Sequence, residues 1–554
     1  MKVEIKQFSS LEKIADVTGL DRNEIKSGTV LCGEHFSYQI ALRATERDPR
    51  AIVKVEIESE LSDYIKIYAV KHSAVDYPHP PDADHNYILH SPGILPDLLV
   101  PLEEQNGYLN FVNDLALLWV EVSVGEEICA GEYDINILLK GVCVDQKINT
   151  LNSDFFECAY MKLNVSASVL PKGELIFTQW FHVDCIASAH NVLIYSEEHW
   201  ALIAKYMKMA AELGINMITV PALLPALDTA PGTSRPNTQL VKIKKESSEY
   251  IFDFSNLRRY IRLALECGIK HFEMTPFFSQ WGCRYSPNIY ADFNGEEKLI
   301  FGWHIPADSI EYSDFLKIFV PKLLVVLKEE GIFGQTYFHL SDEPSASQIE
   351  HYEYASNLLR PLLSECKIID ALSNIEFYNR GLVEHPICTT DHIEPFISAG
   401  VKGLWAYYCC AQYKEVSNRF IAMPSYRNRI IGIQLYKYGI EGFLHWGFNF
   451  YYSQYSLYPI DPYVTTSSDG IFSSGDAFSV YPGKNGPLPS IRALVFREAL
   501  EDIALCKLLE EKIGKPAVVE LIDKEAGFEV TFKSYPKSED FIFRLTEKIK
   551  NMLG

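Results

Sequence analysis

The sequence is short of positive charge. Its 51 Lys and Arg residues are outnumbered by 73 Asp and Glu residues, which gives a formal net charge of −22. Such a surface repels the phosphates of nucleic acids, so we expect no nucleic-acid partner. No apolar run is long enough to cross a bilayer, and acidic residues interrupt the N-terminal stretch where a signal peptide would be apolar. We therefore expect a cytoplasmic protein with no membrane partner.

Motifs for common cofactors are also missing. The 12 cysteines are scattered, and none forms the Cys-x-x-Cys pair typical of zinc and redox sites. No Gly-x-Gly-x-x-Gly turn marks a dinucleotide site. We predict reduced thiols, no cofactor and no metal. The adjacent Cys409 and Cys410 have apolar neighbours, which favours inert buried thiols over a nucleophile.

Aromatic rings are the one excess. Phe, Trp and Tyr make up 13% of the 554 residues. Such rings fill cores or stack on the apolar face of a ligand. The chain is too long for one ordinary hydrophobic core, so we expect more than one domain.

The N-terminal part has the pattern of a β-domain. Short alternating segments lie between polar turns from Val30 to Ser168, among them YQIALRA, IVKVEIESE and LWVEVSV. This is typical of an antiparallel sandwich, and we assign residues 1–168 to an all-β sandwich domain. The proline-rich segment 77–102 predicts a long ordered loop or a cap, because proline cannot complete a ladder of hydrogen bonds.

After Pro171, strand and helix patterns alternate. Two of the helices end at Gly214 and Gly268. Eight strand candidates follow one another: ELIFTQWFHVD, INMITVPAL, IKHFEMTPFF, QTYFHLSDEP, KIIDALS, HPICTTDHI, GLWAYYCC and GFLHWGFNF. This predicts an α/β fold, a (β/α)8 TIM-type barrel over residues 169–513. An open doubly wound sheet is the alternative, although it usually has fewer strands. We predict that residues 514–554 form a small α/β extension packed on the barrel.

The pair Asp342 and Glu343 is the most specific local feature. In such a barrel the active site lies at the carboxyl ends of the strands, and this pair ends the fourth candidate. Pro344 predicts an extended Glu343 where the strand ends. Two close carboxyl groups cannot both ionise freely, so one would hold a proton and act as a general acid. The alternative is an acidic loop at a helix start, which also suits the helix dipole.

A metal site is a weaker hypothesis. The first strand offers only His182 and Asp184 near its end, with no His-x-His pair. Asp391, His392 and His445 also stand at strand ends. Single histidines in such places are more often hydrogen-bonding groups than ligands, so we predict no metal.

The stretch from Phe177 to Leu508 resembles the catalytic domain of glycoside hydrolase family 123, also known as domain of unknown function 4091. The segments that carry the resemblance are FTQWFHVD, FEMTPFFSQWG, YFHLSDEPS, GFLHWGFNFYYSQYS and GDAFSVYPGKNGPLPSIR. The most specific are HLSDEP and the final block. The sandwich before the barrel also fits the two-domain layout of the family.

The resemblance implies a β-N-acetylgalactosaminidase-like, retaining mechanism. Glu343 would protonate the glycosidic oxygen and then activate water. Asp342 would orient the substrate's 2-acetamido group, whose oxygen attacks the anomeric carbon, so that no enzyme nucleophile is needed. Substrate-assisted enzymes are a recognised exception to the two-carboxylate rule.

From their positions at strand ends, further residues are candidates for the sugar pocket. We predict Trp180, Trp281 and Trp446 as walls, because apolar sugar faces stack on rings. Tyr407 or Tyr408 would bond the acetamido oxygen, and His182 and Asn449 would hold sugar hydroxyls.

The partner that we expect is a small carbohydrate or glycoside. A non-catalytic carbohydrate-binding protein on the same fold remains an alternative, as does a metal-dependent hydrolase. The oligomeric state is left open, with a homo-oligomer among the options.

Overall fold

The computed structural model describes residues 2–46, 51–144, 151–246 and 249–554. It divides into two compact units, each made of separate stretches of chain. The first unit contains Met1–Glu174, Lys414–Lys437 and Leu488–Gly554, and the second contains Leu175–Tyr413 and Tyr438–Pro487. The predicted domain boundaries at residues 168 and 513 stay predictions.

The N-terminal region is β-rich, as the alternating segments predicted. Its strands are β1 (Lys2–Ser9), β2 (Ser27–Cys32), β3 (His35–Glu46), β4 (Ala51–Glu58), β5 (Ile65–Val75), β6 (Gly93–Pro101), β7 (Tyr108–Asn110), β8 (Leu115–Ser123), β9 (Gly131–Val144) and β10 (Leu151–Val169). They form two five-stranded sheets, with the orders β1-β3-β8-β5-β6 and β2-β10-β9-β4-β7. Inward side chains of both sheets, such as Ile40 and Ile137, share one hydrophobic cluster.

Strand β6 corrects the prediction of a loop over the whole proline-rich segment. Although it contains Pro96 and Pro101, it pairs with β5 in antiparallel register. Two features make this compatible with proline. The strand is last in its sheet, and the register shifts between Lys71 and His72, opposite Pro96.

The remaining strands begin with the second unit. They are β11 (Ile176–Gln179), β12 (Met217–Val220), β13 (Lys242–Glu246), β14 (Glu249–Asp253), β15 (His271–Met274), β16 (Ile289–Phe293), β17 (Glu296–Phe301), β18 (Thr336–Phe338), β19 (Lys367–Leu372), β20 (His385–Thr389), β21 (Trp405–Tyr407), β22 (Gly442–His445), β23 (Val480–Gly483) and β24 (Gly486–Pro489).

Eight of these strands close into a parallel barrel, in the order β11-β12-β15-β18-β19-β20-β21-β22. Each lies within one of the eight segments that the sequence predicted as strands, so the closed barrel confirms that prediction and excludes an open sheet. Large side chains fill the interior, among them Tyr337 and Trp405. The barrel is therefore a packed core whose rim is available for a site.

The helices follow the predicted alternation. They are α1 (Val183–His190), α2 (Glu197–Glu212), α3 (Ser255–Glu266), α4 (Ile310–Glu329), α5 (Ile349–Leu359), α6 (Glu376–Asn379), α7 (Glu394–Ser398), α8 (Ser425–Arg429), α9 (Ile431–Tyr438), α10 (Ile491–Ile513), α11 (Lys515–Ala526) and α12 (Glu539–Leu553). At least one helix lies in the chain between successive barrel strands. Local residues set the ends of helix α2. Ser196 caps its first turn, and Gly214 takes the left-handed φ of 85° just past its end.

Two regions differ from the prediction. The connections before and after β15 carry a four-stranded sheet, β14-β13-β16-β17, which the sequence did not indicate. Residues 514–554 contain the helices α11 and α12 and no strand, so this extension is helical and not α/β. Across the described ranges, no helix is both long enough and apolar enough to cross a membrane.

Candidate functional site

A cavity of about 220 Å³ lies at the rim where the barrel strands end. Seven of the nine residues predicted for the site line it: Trp180, His182, Trp281, Asp342, Glu343, Tyr407 and Trp446. They follow or end five different strands, which is how parallel strands bring distant side chains to one place. Tyr408 and Asn449 are not among the lining residues.

The backbone turns sharply at Glu343, which has a φ of 45°. The prediction that Pro344 keeps Glu343 extended is therefore wrong. Hydrogen bonds hold the turn: Glu343 N–H donates to Ala371 O at 3.1 Å, and Trp281 N–H donates to Asp342 O at 2.9 Å. A left-handed residue outside glycine is strained, and such strain is concentrated at functional sites. Here the turn brings two consecutive carboxyl groups to one cavity.

Burial governs the charge of this pair. Asp342 is almost inaccessible, and burial together with the charge of Glu343 raises its pKa well above the ordinary value. Burial also raises the pKa of Glu343, although a hydrogen bond from Tyr407 opposes the shift. Because both shifts disfavour the doubly ionised state, the pair retains a proton more readily than two exposed carboxyl groups would.

Gln280 sets the hydrogen-bonding role of Asp342. Its Nε2 donates to Asp342 Oδ2 at 2.6 Å, while its Oε1 accepts from the backbone N–H of Asp228. A backbone N–H can only donate, so the side-chain amide has one possible orientation. Asp342 Oδ2 is therefore an acceptor. In contrast, Glu343 Oε1 is bonded at 2.7 Å to the hydroxyl of Tyr407, which can rotate.

A charged cluster lies at the barrel end beside the pair. His339 bonds through Nε2 to Glu273 Oε1 at 2.6 Å and through Nδ1 to Asp370 Oδ1 at 3.1 Å. Burial opposes the charged imidazole, but these two carboxylates raise the pKa of His339 to about 10. The ring is thus an imidazolium, and its charge favours ionised Asp342.

Sequence patterns alone missed Glu273 and Asp370. Both are buried inside the barrel, on β15 and β19. Glu273 also accepts from the indole Nε1 of Trp180 at 2.8 Å, so the cluster anchors a cavity wall. An acidic residue within an apolar strand is the signal that would have found them, since a buried charge needs partners.

His182 and Asn449 do not have the geometry predicted for sugar contacts. Both ring nitrogens of His182 are engaged, with Trp446 O at 3.1 Å and Arg235 at 3.1 Å. Burial and the charge of Arg235 lower the pKa of His182 to about 3, so the ring is neutral. The amide of Asn449 bonds both the backbone N–H and the carbonyl of His182. Asn449 therefore fastens the loop after β22 to the end of β11.

Tyr408 is also a packing residue. Its ring is fully buried and meets the rings of Phe443 and His445 edge to face. Adjacent residues at a strand end point to opposite sides, which explains why Tyr407 reaches the cavity and Tyr408 does not.

Cys409 and Cys410 were expected to be inert buried thiols, yet both line the cavity and are partly exposed. The neighbouring thiol of Cys410 and burial raise the pKa of Cys409 well above the ordinary value. This keeps Cys409 protonated, which agrees with an unreactive thiol.

Further lining residues that the sequence did not single out are Asp228, Gln454 and Phe472. In the part of the chain that the structure describes, no three His, Cys, Asp or Glu side chains converge as metal ligands.

Comparisons with known proteins identify the family of this chain. The model of the glycoside hydrolase 123 catalytic domain matches residues 180–509. A family 123 glycoside hydrolase from Clostridium perfringens, solved to study glycolipid glycan hydrolysis, is similar with a TM-score of 0.72 and 17% identity. The match covers 100% of this chain and 98% of that one. A β-D-glucuronidase from Dictyoglomus thermophilum matches at 8% identity over 90% of this chain and 97% of its own, with a TM-score of only 0.33. No curated protein matches the sequence.

Proposed function

Because the chain belongs to glycoside hydrolase family 123, we propose that it removes a terminal β-linked N-acetylhexosamine from a small glycoside or oligosaccharide. N-acetylgalactosamine is the first choice of sugar. The reaction retains the anomeric configuration and uses the substrate's own 2-acetamido oxygen as nucleophile. The observation that carries the proposal is the presence of two consecutive carboxyl groups, Asp342 and Glu343, on one cavity wall.

The spacing of the pair favours substrate assistance over direct attack. A retaining pair that attacks directly has its carboxyl groups about 5 to 5.5 Å apart on opposite sides of the scissile bond. Consecutive residues have Cα atoms only about 3.8 Å apart, and here both side chains border the same cavity. With the acetamido oxygen as nucleophile, no carboxylate is needed behind the anomeric carbon.

The hydrogen bonds divide the roles within the pair. The fixed amide of Gln280 favours Asp342 as an anion, and the acetamido N–H of a bound sugar adds a second donor. Within the protein itself, Tyr407 and Trp281 both hydrogen-bond to Glu343 and lower its pKa. A bound sugar decides the assignment, because it brings an N–H donor to Asp342 and the glycosidic oxygen, an acceptor, to Glu343, so that the remaining proton belongs to Glu343. Glu343 is thus the general acid, and Asp342 orients the acetamido group.

In the first step, the acetamido oxygen attacks the anomeric carbon while Glu343 gives its proton to the glycosidic oxygen. The aglycone leaves as an alcohol, and a cyclic oxazolinium ion remains, its N–H facing the carboxylate of Asp342. In the second step, Glu343 takes a proton from water as that water attacks the anomeric carbon. The ring of the oxazolinium opens, and the free sugar leaves with its original configuration.

The size of the cavity supports removal of one terminal sugar. Its volume of about 220 Å³ is below the ~300 to 1,000 Å³ typical of sites for larger ligands. Indole rings of Trp180, Trp281 and Trp446 border it, which suits the apolar face of one sugar ring. The similar Clostridium perfringens enzyme was studied on glycolipid glycans, which supports a glycan as the substrate class.

Two substitutions test the mechanism. Glu343→Gln should lower turnover of a substrate with a poor leaving group by ~10² to 10⁴-fold, because general acid catalysis contributes about that much. Asp342→Asn should slow activated aryl glycosides as well, since orientation of the acetamido group precedes departure of any leaving group. Glu311→Gln, at an exposed position in the first turn of α4, is the matched control.

A thiazoline analogue of the oxazolinium ion should inhibit the wild-type protein competitively. Wild-type rates in Glu343→Gln, or no inhibition by the thiazoline, would contradict the proposal. Binding of N-acetylgalactosamine without hydrolysis of any aryl glycoside would instead identify a carbohydrate-binding protein.

We also propose a specific architecture and location for the protein. We infer that the barrel is of the TIM type and that the two N-terminal sheets form a sandwich. A cytoplasmic location, with small imported glycosides as substrates, is also proposed.

A further inference from the structure

Most polar side chains on the cavity wall are already committed to hydrogen bonds within the protein. The indoles of Trp180 and Trp446 donate to Glu273 and Asp476, both at 2.8 Å. Both ring nitrogens of His182 are engaged, as described above. Such groups shape the cavity but have little capacity left for a ligand. A sugar ring, however, needs polar partners for each hydroxyl that it buries.

Asp228 and Gln454 are the exceptions. Both line the cavity. Among the described residues, no side chain donates to the carboxyl group of Asp228. The backbone N–H groups of Tyr455 and Ser456 favour its ionised form, but its buried Oδ2 has no hydrogen-bond partner. The amide of Gln454 forms no hydrogen bond within the same ranges. An unsatisfied carboxyl oxygen is costly to bury, so its presence at a cavity calls for an explanation.

The backbone around Asp228 is held firmly. Its N–H donates to Gln280 Oε1, and its carbonyl accepts from Ser456 Oγ at 2.8 Å. Asp228 takes a left-handed φ of 46°, and Tyr455 and Ser456 take φ values of 58° and 54°. Three strained residues in two bonded loops are kept only where the surrounding structure requires them. Both loops are therefore preorganised beside the cavity.

We propose that Asp228 and Gln454 form the subsite that binds the sugar hydroxyls at C3 and C4 and so selects the hexosamine that is accepted. The location follows from Gln280, whose amide joins the backbone N–H of Asp228 to the carboxyl group of Asp342. Asp342 marks the acetamido group at C2 and Glu343 marks the glycosidic oxygen at C1, so C3 and C4 are the neighbouring ring positions left for Asp228. A carboxylate accepts from two neighbouring hydroxyls, and an amide can both donate and accept. The inference rests on the proposed function, since it assumes that an N-acetylhexosamine occupies the cavity.

The test combines variants with substrate analogues. Asp228→Ala and Gln454→Ala are measured on an aryl β-N-acetylgalactosaminide and on its 3-deoxy, 4-deoxy and 6-deoxy analogues. Asp228→Ala retains the backbone N–H to Gln280, so the amide of Gln280 keeps its orientation. Asp314→Ala, which removes an exposed aspartate of α4, is the matched control. Melting temperatures show that each variant is folded.

We expect Asp228→Ala to lower kcat/KM on the parent substrate by about 10- to 100-fold, as expected for loss of a hydrogen bond to a charged group. On the 3-deoxy or 4-deoxy analogue, the same substitution should lower kcat/KM by less than about 3-fold, because the hydroxyl that Asp228 would bind is already missing. On the 6-deoxy analogue, Asp228→Ala should lower kcat/KM as much as on the parent substrate. An equal loss on all four substrates would overturn the subsite.

A second measurement separates this inference from the proposed function. If the wild-type protein hydrolyses no aryl N-acetylhexosaminide, the proposed function fails. Calorimetric binding of methyl β-N-acetylgalactosaminide and its 4-deoxy analogue then tests the subsite without turnover. Weaker binding of the parent to Asp228→Ala, with no change for the deoxy analogue, would support it. Equal binding of the parent to wild type and variant would overturn it.

Discussion

Replacing Gln280 should change the pH dependence of the reaction, and this is the sharpest test of the division of roles in the pair. Gln280→Met keeps the length of the side chain but removes the donor at 2.6 Å from Asp342 Oδ2. The ionised form of Asp342 loses a charge-assisted hydrogen bond. Its pKa, already raised by burial, must then rise further.

The magnitude follows from the kind of bond. A hydrogen bond to a charged group contributes about 1.5 to 3 kcal/mol. At about 1.36 kcal/mol for each factor of ten, this loss disfavours ionisation of Asp342 by about 10- to 100-fold and so raises its pKa. Because Asp342 acts as an anion, the acidic limb of the kcat/KM profile should move to higher pH. At a pH on this limb the loss of kcat/KM is about 10- to 100-fold.

The assay is the pH profile of kcat/KM on an aryl N-acetylhexosaminide, recorded with Gln280→Met and Gln280→Glu. The Glu variant places a third carboxyl group against Asp342, so its acidic limb should move further than that of the Met variant. Melting temperatures establish that the variants fold. A uniform loss at every pH, with the acidic limb unmoved, would refute the argument.

Two further predictions concern neighbouring groups. Tyr407→Phe removes a hydrogen-bond donor that lowers the pKa of Glu343. The pKa of Glu343 should therefore rise, and the basic limb of the kcat/KM profile should extend to higher pH. A basic limb that moves to lower pH would contradict this. His339 has its pKa raised from 6.5 to about 10 by Asp370 and Glu273 in spite of burial. Its contribution to stability is therefore complete below about pH 6.5 and is lost as pH rises through about 10, so melting temperatures should fall over that range. His339→Gln should lose this dependence, and a wild-type melting temperature constant from pH 7 to 10 would contradict the assignment.

The elements that sequence patterns predicted well are those with a strong local signal. All eight barrel strands are apolar segments bounded by turns, and each is paired in the closed barrel. Helix α2 has a serine cap at its start and a glycine past its end, so its bounds depended on neighbouring residues alone. Strands β13, β14, β16 and β17 were missed because they are short, and β13 and β17 are also rich in charged residues. The pairing of a strand depends as well on a partner that can be distant in sequence.

At the site, residue type and position at a strand end were enough to find Asp342 and Glu343, because parallel strands of a barrel share one rim. The same reasoning failed for Asn449, whose amide is consumed by the backbone of His182. It also failed for the backbone of Glu343, since proline at position 344 favours an extended residue, whereas the hydrogen bond to Ala371 O holds a left-handed one. Local preferences are small, and contacts with distant residues override them.

The sequence by itself therefore determined the β-rich N-terminal region, the eight-stranded barrel and the acidic pair, because periodicity, turn residues and strand ends are local properties of the chain. Tertiary structure alone decided which oxygen of Asp342 accepts from Gln280, which histidine is charged and which polar groups remain for a ligand. The charge of His339 depends on Glu273 and Asp370, 66 and 31 residues away in the sequence. Electrostatic and hydrogen-bond energies depend on distance in space and on burial, and neither quantity is contained in the order of the residues.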